Sequence, residues 1–241
     1  MYKIMIKVLV DTHTHTNCST HAHSTLLENA YAAAERGLEM LCMTNHTPAL
    51  PDSPHIWHFE TMGSLPKEIK GVKMAYGAET NLLDLDGNVD LPEEIQKKMD
   101  LIVASIHKPC LAPGTADDYT STYLGAIKNP YITILGHSGS VNYPYDIDTV
   151  VKAAREYNKC IEINNHTFTV RRPSIENCRK IALACKKYGT HIVVSSDAHN
   201  SFDIGNFDNA IKMLTEIDFP EELIANATAA RFTEYLKSLK K

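Results

Sequence analysis

The sequence predicts an α/β fold in which seven parallel strands alternate with helices, in a sheet either open or closed into a barrel. Three observations predict it. Short apolar, β-rich runs alternate with longer amphipathic ones from end to end. The 241 residues suit one β/α barrel, for which about 250 is ordinary. Side chains able to bind metal recur where the apolar runs finish.

In order, the expected strands are Ile6–Thr12, Met40–Thr44, Lys73–Glu79, Leu101–Ile106, Ile132–Gly136, Cys160–Asn164 and Ile192–Ser196. The expected helices are Thr25–Arg36, Pro92–Lys98, Ala116–Lys128, Asp148–Tyr157, Ser174–Tyr188, Asn206–Ile217 and Ala227–Ser238. Gly37 and Gly189 follow helices at the position where glycine commonly ends one. Pro173 before Ser174 marks a stop and a start. Thr47–Lys70 is the least regular stretch, with Pro48, Pro51, Pro54, Pro66 and the only tryptophan. Such a segment in a compact domain is usually functional. No repeat or linker interrupts residues 1–241, so one domain is expected.

Hydrophobic residues make up 44% and charged residues 22%, enough for a sizeable core. The net charge of -5 supplies no basic footprint for nucleic acid or an anionic membrane. Met1–Val10 carries Lys3 and Lys7 and reads as a first strand, not a signal peptide. No apolar run approaches the roughly 20 residues of a membrane span. The six cysteines form no C-x-x-C pair and read as reduced, buried thiols of a cytoplasmic protein.

The 12 histidines are clustered. The strands end in Asp11-Thr12-His13-Thr14-His15, Thr44-Asn45-His46, Gly77-Ala78-Glu79, Ser105-Ile106-His107, Leu135-Gly136-His137 and Ser196-Asp197-Ala198-His199. In a parallel barrel these ends converge on the face that carries active sites. Residues two apart on a strand share a side, so His13 with His15, and Asp197 with His199, can both aim inward. With His21, the candidate ligands are His13, His15, His21, His46, Glu79, His107, His137, Asp197 and His199. Nine exceed the needs of one tetrahedral ion and suit two or three, with Glu79 bridging. Imidazole and carboxylate suit zinc first, with manganese or iron as alternatives. Asp11 reads as a hydrogen-bond partner of this group rather than a ligand. His23 and His191 read as structural or exposed.

At these motifs the sequence resembles the PHP (polymerase and histidinol phosphatase) superfamily. It resembles the YcdX-type phosphatase branch through His55-Ile56-Trp57-His58-Phe59, Glu162-Ile163-Asn164-Asn165, Asn177-Cys178-Arg179 and Asp218-Phe219-Pro220. The resemblance implies a distorted (β/α)7 TIM-like barrel with its active site at the C-terminal strand ends. It also implies three divalent metal ions per chain. His13, His15, Glu79 and Asp197 would hold the first, His21, His46 and His199 the second, and Glu79, His107 and His137 the third. Three positions depart from the family pattern. Asn45 stands where an aspartate is usual, Ser138 where proline is frequent, and His166 where a small hydroxyl residue is common.

The expected activity is hydrolysis of a small phosphate monoester by a metal-bound hydroxide, with Glu79 and Asp197 as the catalytic carboxylates. Arg171 and Arg172 are candidates for phosphate contacts. His55–Phe59 is expected to wall the site. Alternatives are a histidinol-phosphate phosphatase, an exonuclease or phosphodiesterase on nucleic acid, an amidohydrolase and a metal-binding sensor. The acidic balance tells against nucleic acid. No strand end carries the lysine that an amidohydrolase would use. The resemblance permits a homo-oligomer.

Overall fold

The computed structural model describes residues 6–239. Eight strands form one sheet: β1 Val10–Thr14, β2 Met40–Met43, β3 Glu68–Ile69, β4 Val72–Asn81, β5 Leu101–Ser105, β6 Ile134–Leu135, β7 Cys160–Asn164 and β8 Ile192–Ser195. Seven of them run parallel in the order β1-β2-β4-β5-β6-β7-β8, and β3 pairs antiparallel with β4 off this path. The α-helices are α1 Leu26–Glu35, α2 Trp57–Glu60, α3 Glu93–Gln96, α4 Ala116–Lys128, α5 Ile147–Glu156, α6 Thr167–Val170, α7 Ile175–Tyr188, α8 Asp208–Glu216 and α9 Ala229–Leu239.

The alternation of apolar residues builds two cores. Val10, Met40, Cys42, Ala75, Val103, Cys160 and Val193 point inward and pack with Ala229, Phe232 and Tyr235 of α9. Their neighbours Leu41, Met74, Ile102, Ile161 and Val194 point outward against the helices. This is the period-two pattern of strands buried on both faces. Helix α9 thereby fills the N-terminal end of the barrel.

The sheet closes at two levels between β8 and β1. At the C-terminal ends Thr14 bridges Ala198; the His15 amide donates to Ala198 O at 2.9 Å and the Asp197 amide to His13 O at 3.0 Å. Lower down, the segment 224–227 stands in for a strand. Ala225 N donates to Ile192 O at 2.9 Å, and Leu9 N to Ala227 O at 3.1 Å. The buried Asn226 side chain donates to Val10 O (2.8 Å) and Val194 O (2.6 Å) and accepts from Val194 N (3.0 Å). One amide thus satisfies backbone groups that would otherwise be orphaned in the seam.

The seven parallel strands and the seven expected helices are all present; Cys160–Asn164 and Ala116–Lys128 keep their expected bounds and the others shift. The first strand runs Val10–Thr14 rather than Ile6–Thr12, because β2 has four residues and pairs only with that stretch. Met1–Met5 of the Met1–Val10 expectation lie outside the described residues. Ile132–Gly136 shrinks to β6, Ile134–Leu135. Gly37 and Gly189 sit at φ 71° and 70°, as expected of helix-ending glycines. The irregular Thr47–Lys70 stretch holds α2, a 3-10 turn at Met62–Ser64 and β3. Among the described residues no helix is long and apolar enough to cross a membrane.

Candidate metal centre

All the expected ligands meet at the C-terminal mouth of the barrel. A cavity of 350 Å³ there is lined by His21, His46, Glu79, His107, His137, Asp197 and His199, together with His23, Leu50, His166, Arg171, Asn200 and Asp203. His13 and His15 lie beneath it, fully buried, with ring centroids 5.0 Å apart.

Glu79, near the end of β4, is the hub. Its Oε2 lies 3.2 Å from His13 Nε2, 3.5 Å from His15 Nε2 and 2.8 Å from His46 Nδ1. Its Oε1 lies 2.9 Å from His137 Nε2 and 3.4 Å from His107 Nε2. Asp197 Oδ1 lies 3.6 Å from His13 Nε2 and 3.3 Å from His15 Nε2. His13, His15 and Asp197 thus gather on one oxygen of Glu79 and His107 with His137 on the other, while His46 sits on the first oxygen and also lies with Glu79 and His107. The second grouping implied by the resemblance differs. His46 and His199 gather with His15, while His21, more exposed, turns its Nδ1 to Asp52.

The imidazoles are held from behind. His13 Nδ1 donates to Glu162 (2.7 Å), His107 Nδ1 to Asn81 Oδ1 (2.7 Å) and His199 Nδ1 to the Asp197 carbonyl (2.9 Å). An Nδ1–H fixed this way leaves Nε2 as the lone-pair atom, the tautomer a metal needs. Glu162 is itself buried, accepting from the His137 amide (2.5 Å), the Asn164 side chain (3.1 Å) and the Ser195 hydroxyl. His137 and Asp197 have φ of 23° and 53°. Such left-handed residues persist where their surroundings over-determine them; here the amide bonds to Glu162 and to His13 O do so.

Charge follows the same pattern. Burial opposes ionisation of Glu79, but His13, His46 and His107 outweigh it and hold the carboxyl well below the usual range. Asp197 is lowered likewise against burial, by His13, His15, His166 and Arg171. Burial and the neighbouring His46 push His15 well below the ordinary imidazole range, and burial with Arg171 lowers His137. Burial opposes protonation of His13 and His46, but Glu79 and the carboxylates near it outweigh it and raise both, so the site holds ionised carboxylates beside cationic His13 and His46 and neutral His15 and His137. Asp11 lies outside this set: burial raises it to about 6, and it accepts from Ser196 and Gly205.

The donor set fits divalent cations. His13 Nε2, both nitrogens of His15, His46 Nδ1, His199 Nε2 and Glu79 Oε2 are buried without a hydrogen-bond partner. Each such orphan costs about 1–3 kcal/mol in an uncompensated interior. Their convergence on one pocket is what a bound metal cluster would relieve.

Arg171 lines the pocket and reaches Asp197 Oδ2 at 3.3 Å. Arg172 does not join it; itself exposed, it starts the 3-10 turn Arg172–Ser174, outside the lining. His23 is exposed but lines the pocket mouth. The expected wall, His55–Phe59, does not line the cavity, and Trp57 is exposed; Leu50 and Asp52, upstream of it, reach the site instead. His58 Nε2 accepts from Asn45 (3.1 Å). Asn45 also binds Thr16 and Ser19, and the Ser19 hydroxyl accepts from the His46 amide. Glu162 and Asn164 behind the ligands were readable by the same two-residue spacing that singles out His13 and His15. Asp52 and His166 carry no such signal.

The PHP domain family matches residues 11–173. A protein of Clostridium novyi named a probable phosphatase is 47% identical over 97% of this chain and 96% of its own length. Another probable phosphatase, from Acetivibrio thermocellus, is 43% identical over 98% of both. Among solved structures, the histidinol phosphate phosphatase of Lactococcus lactis, complexed with zinc, L-histidinol and phosphate, shares the fold. Its TM-score is 0.63 at 19% identity, over 89% of this chain and 95% of that one. On the extent of the family match and the identity to these relatives, the chain belongs to the PHP family.

Proposed function

We propose that this protein is a metal-dependent phosphatase that hydrolyses small phosphate monoesters with a cluster of three divalent cations, zinc first. The phosphatase class is supported by family membership and by the relatives' names. The cluster rests on one observation: the two oxygens of Glu79 face separate imidazole sets, amid buried ligand atoms that lack partners. Zinc and a small phosphorylated substrate are also supported by the zinc, L-histidinol and phosphate in the Lactococcus lactis complex.

Bound there, the cations would supply a water ionised near neutral pH and neutralise charge on the phosphoryl oxygens. The chain's own residues do the rest. His13, His15, Glu79 and Asp197 would hold one cation, His107 and His137 with Glu79 another, and His46, His199 and His21 the third. Glu162, Asn81 and the Asp197 carbonyl fix the imidazole tautomers. Glu79 and Asp197 stay ionised and bring the negative charge that makes the pocket attractive to cations. Arg171 offers the remaining N–H groups of its guanidinium to the phosphate.

The test is a panel of aryl phosphate, histidinol phosphate and single-stranded DNA, each with and without chelator. Expected are turnover of a monoester, its loss on chelation and its return with zinc or manganese. Undiminished turnover by metal-stripped protein would refute the proposal.

A further inference from the structure

We propose that His166 and Arg171 together form the wall of the pocket that grips the phosphate, with His166 as an N–H donor beside the guanidinium. The inference rests on the phosphatase reading and deepens it. Nothing in the spacing of the chain singles out His166; its placement does.

The two residues flank the one-turn helix α6, Thr167–Val170. Asn164 pins that helix to the site, because its Oδ1 accepts from Thr167 N at 3.2 Å while its Nδ2 donates to Asp197 Oδ2 at 3.1 Å. Both side chains are thereby carried to the distal oxygen of Asp197, on the side away from His13 and His15. Arg171 Nη1 donates to that oxygen at 3.3 Å. With Asn164 it uses the lone pairs available there. His166 Nδ1 stops at 3.8 Å, beyond bonding distance, and is buried without a partner.

The imidazole therefore lacks an acceptor, and the guanidinium, with five N–H groups, has several to spare. Arg171 is the only lysine or arginine among the described residues lining the cavity. An anion entering the pocket supplies acceptors to both.

A cation held by His166, Asp197 and His199 is the competing possibility, since their ligand atoms lie within 4.8 Å of one another. It would sit against the guanidinium that already shares Asp197 Oδ2. Like charges at that range, in a part-buried setting, repel. The anion is the better occupant.

The experiment uses the full-length, zinc-loaded protein, with inorganic phosphate as the probe. His166→Ala, His166→Gln and Arg171→Ala are compared by calorimetric affinity for phosphate, by KM against kcat on an aryl phosphate, and by zinc per chain. His166→Ala and Arg171→Ala should each weaken phosphate binding about tenfold, raise KM more than they lower kcat, and leave zinc content unchanged. His166→Gln keeps an N–H donor and should stay near wild type. Loss of zinc in His166→Ala makes the residue a ligand and overturns the proposal. Unchanged phosphate affinity in that variant, beside a normal wild type, overturns it too, as does an equal loss in His166→Gln. A wild type that neither binds nor releases phosphate sinks the phosphatase reading itself, and the wall with it.

Discussion

Glu79 is a single carboxylate asked to serve two sets of imidazoles, one on each oxygen. Replacing it by glutamine removes the charge and turns one oxygen into a donor that faces nitrogen lone pairs. Glu79→Gln is therefore expected to release metal from two positions together, measured as zinc per chain by atomic emission. Retention of all but one ion would contradict the bridging role. Glu162 touches no metal position directly but orients His13 and receives the His137 amide. Partners of this kind are worth about 10–100-fold in metal affinity, so Glu162→Gln should weaken zinc by that order in a chelator competition while the chain stays folded. Lys159 offers a titration far from the metals. Its ammonium donates to Asn129 O and Ile132 O, and burial lowers its pKa to about 8. The folded value lies below the unfolded one, ~10.4, so the unfolded chain binds more protons across that window. The contribution of Lys159 is present above the unfolded value and lost as pH falls through about 8. Relative to Lys159→Met, wild type should gain stability between about pH 8 and 10 in denaturant titrations; a flat difference would refute this.

At the scale of elements, strands must come close for their end residues to share ions. Gly136 shows how. A Cβ there would lie 2.2 Å from Ser105 Oγ on β5. Gly136→Ala should push β6 from β5, displace His137, and lower stability by about 1–3 kcal/mol, read by chemical denaturation, with loss of zinc affinity. Most elements were legible in the sequence because alternating Val, Ile and Leu runs and capping glycines report local periodicity directly. The convergence of the candidate ligands was legible for the same reason: His13 and His15, or Asp197 and His199, sit at or just past the end of a strand. What was not legible depends on long-range placement. Asp52 meets His21 across 31 residues, and His166 comes near Asp197, at 3.8 Å, from the N-terminal end of α6. Arg171 and Arg172 are adjacent and chemically alike, yet only the first faces the pocket; the backbone turn at α6 decides between them, and composition does not.

At the scale of the whole molecule, the seam between β8 and β1 joins stability to the site. Its upper bonds use the backbone of His13, His15, Asp197 and Ala198, the segments that carry the ligands. Its lower bonds depend on Asn226. Asn226→Ala should cost about 3 kcal/mol, since it leaves three buried backbone groups unpaired, and urea unfolding measures it. Loss of less than about 1 kcal/mol would show that water replaces the amide.

Helix α9 seats Phe232 and Tyr235 in the base of the barrel, beneath Val10, Cys42, Val103 and Val193. With the interior packed by strand side chains above it, the mouth is the doorway, so under the proposed reaction the ester would enter and both products depart through the same opening. On that reading the alcohol, facing the exit, would go first. Inorganic phosphate, held by the proposed cations and Arg171, would go last, and while it lingered no new ester could take its place.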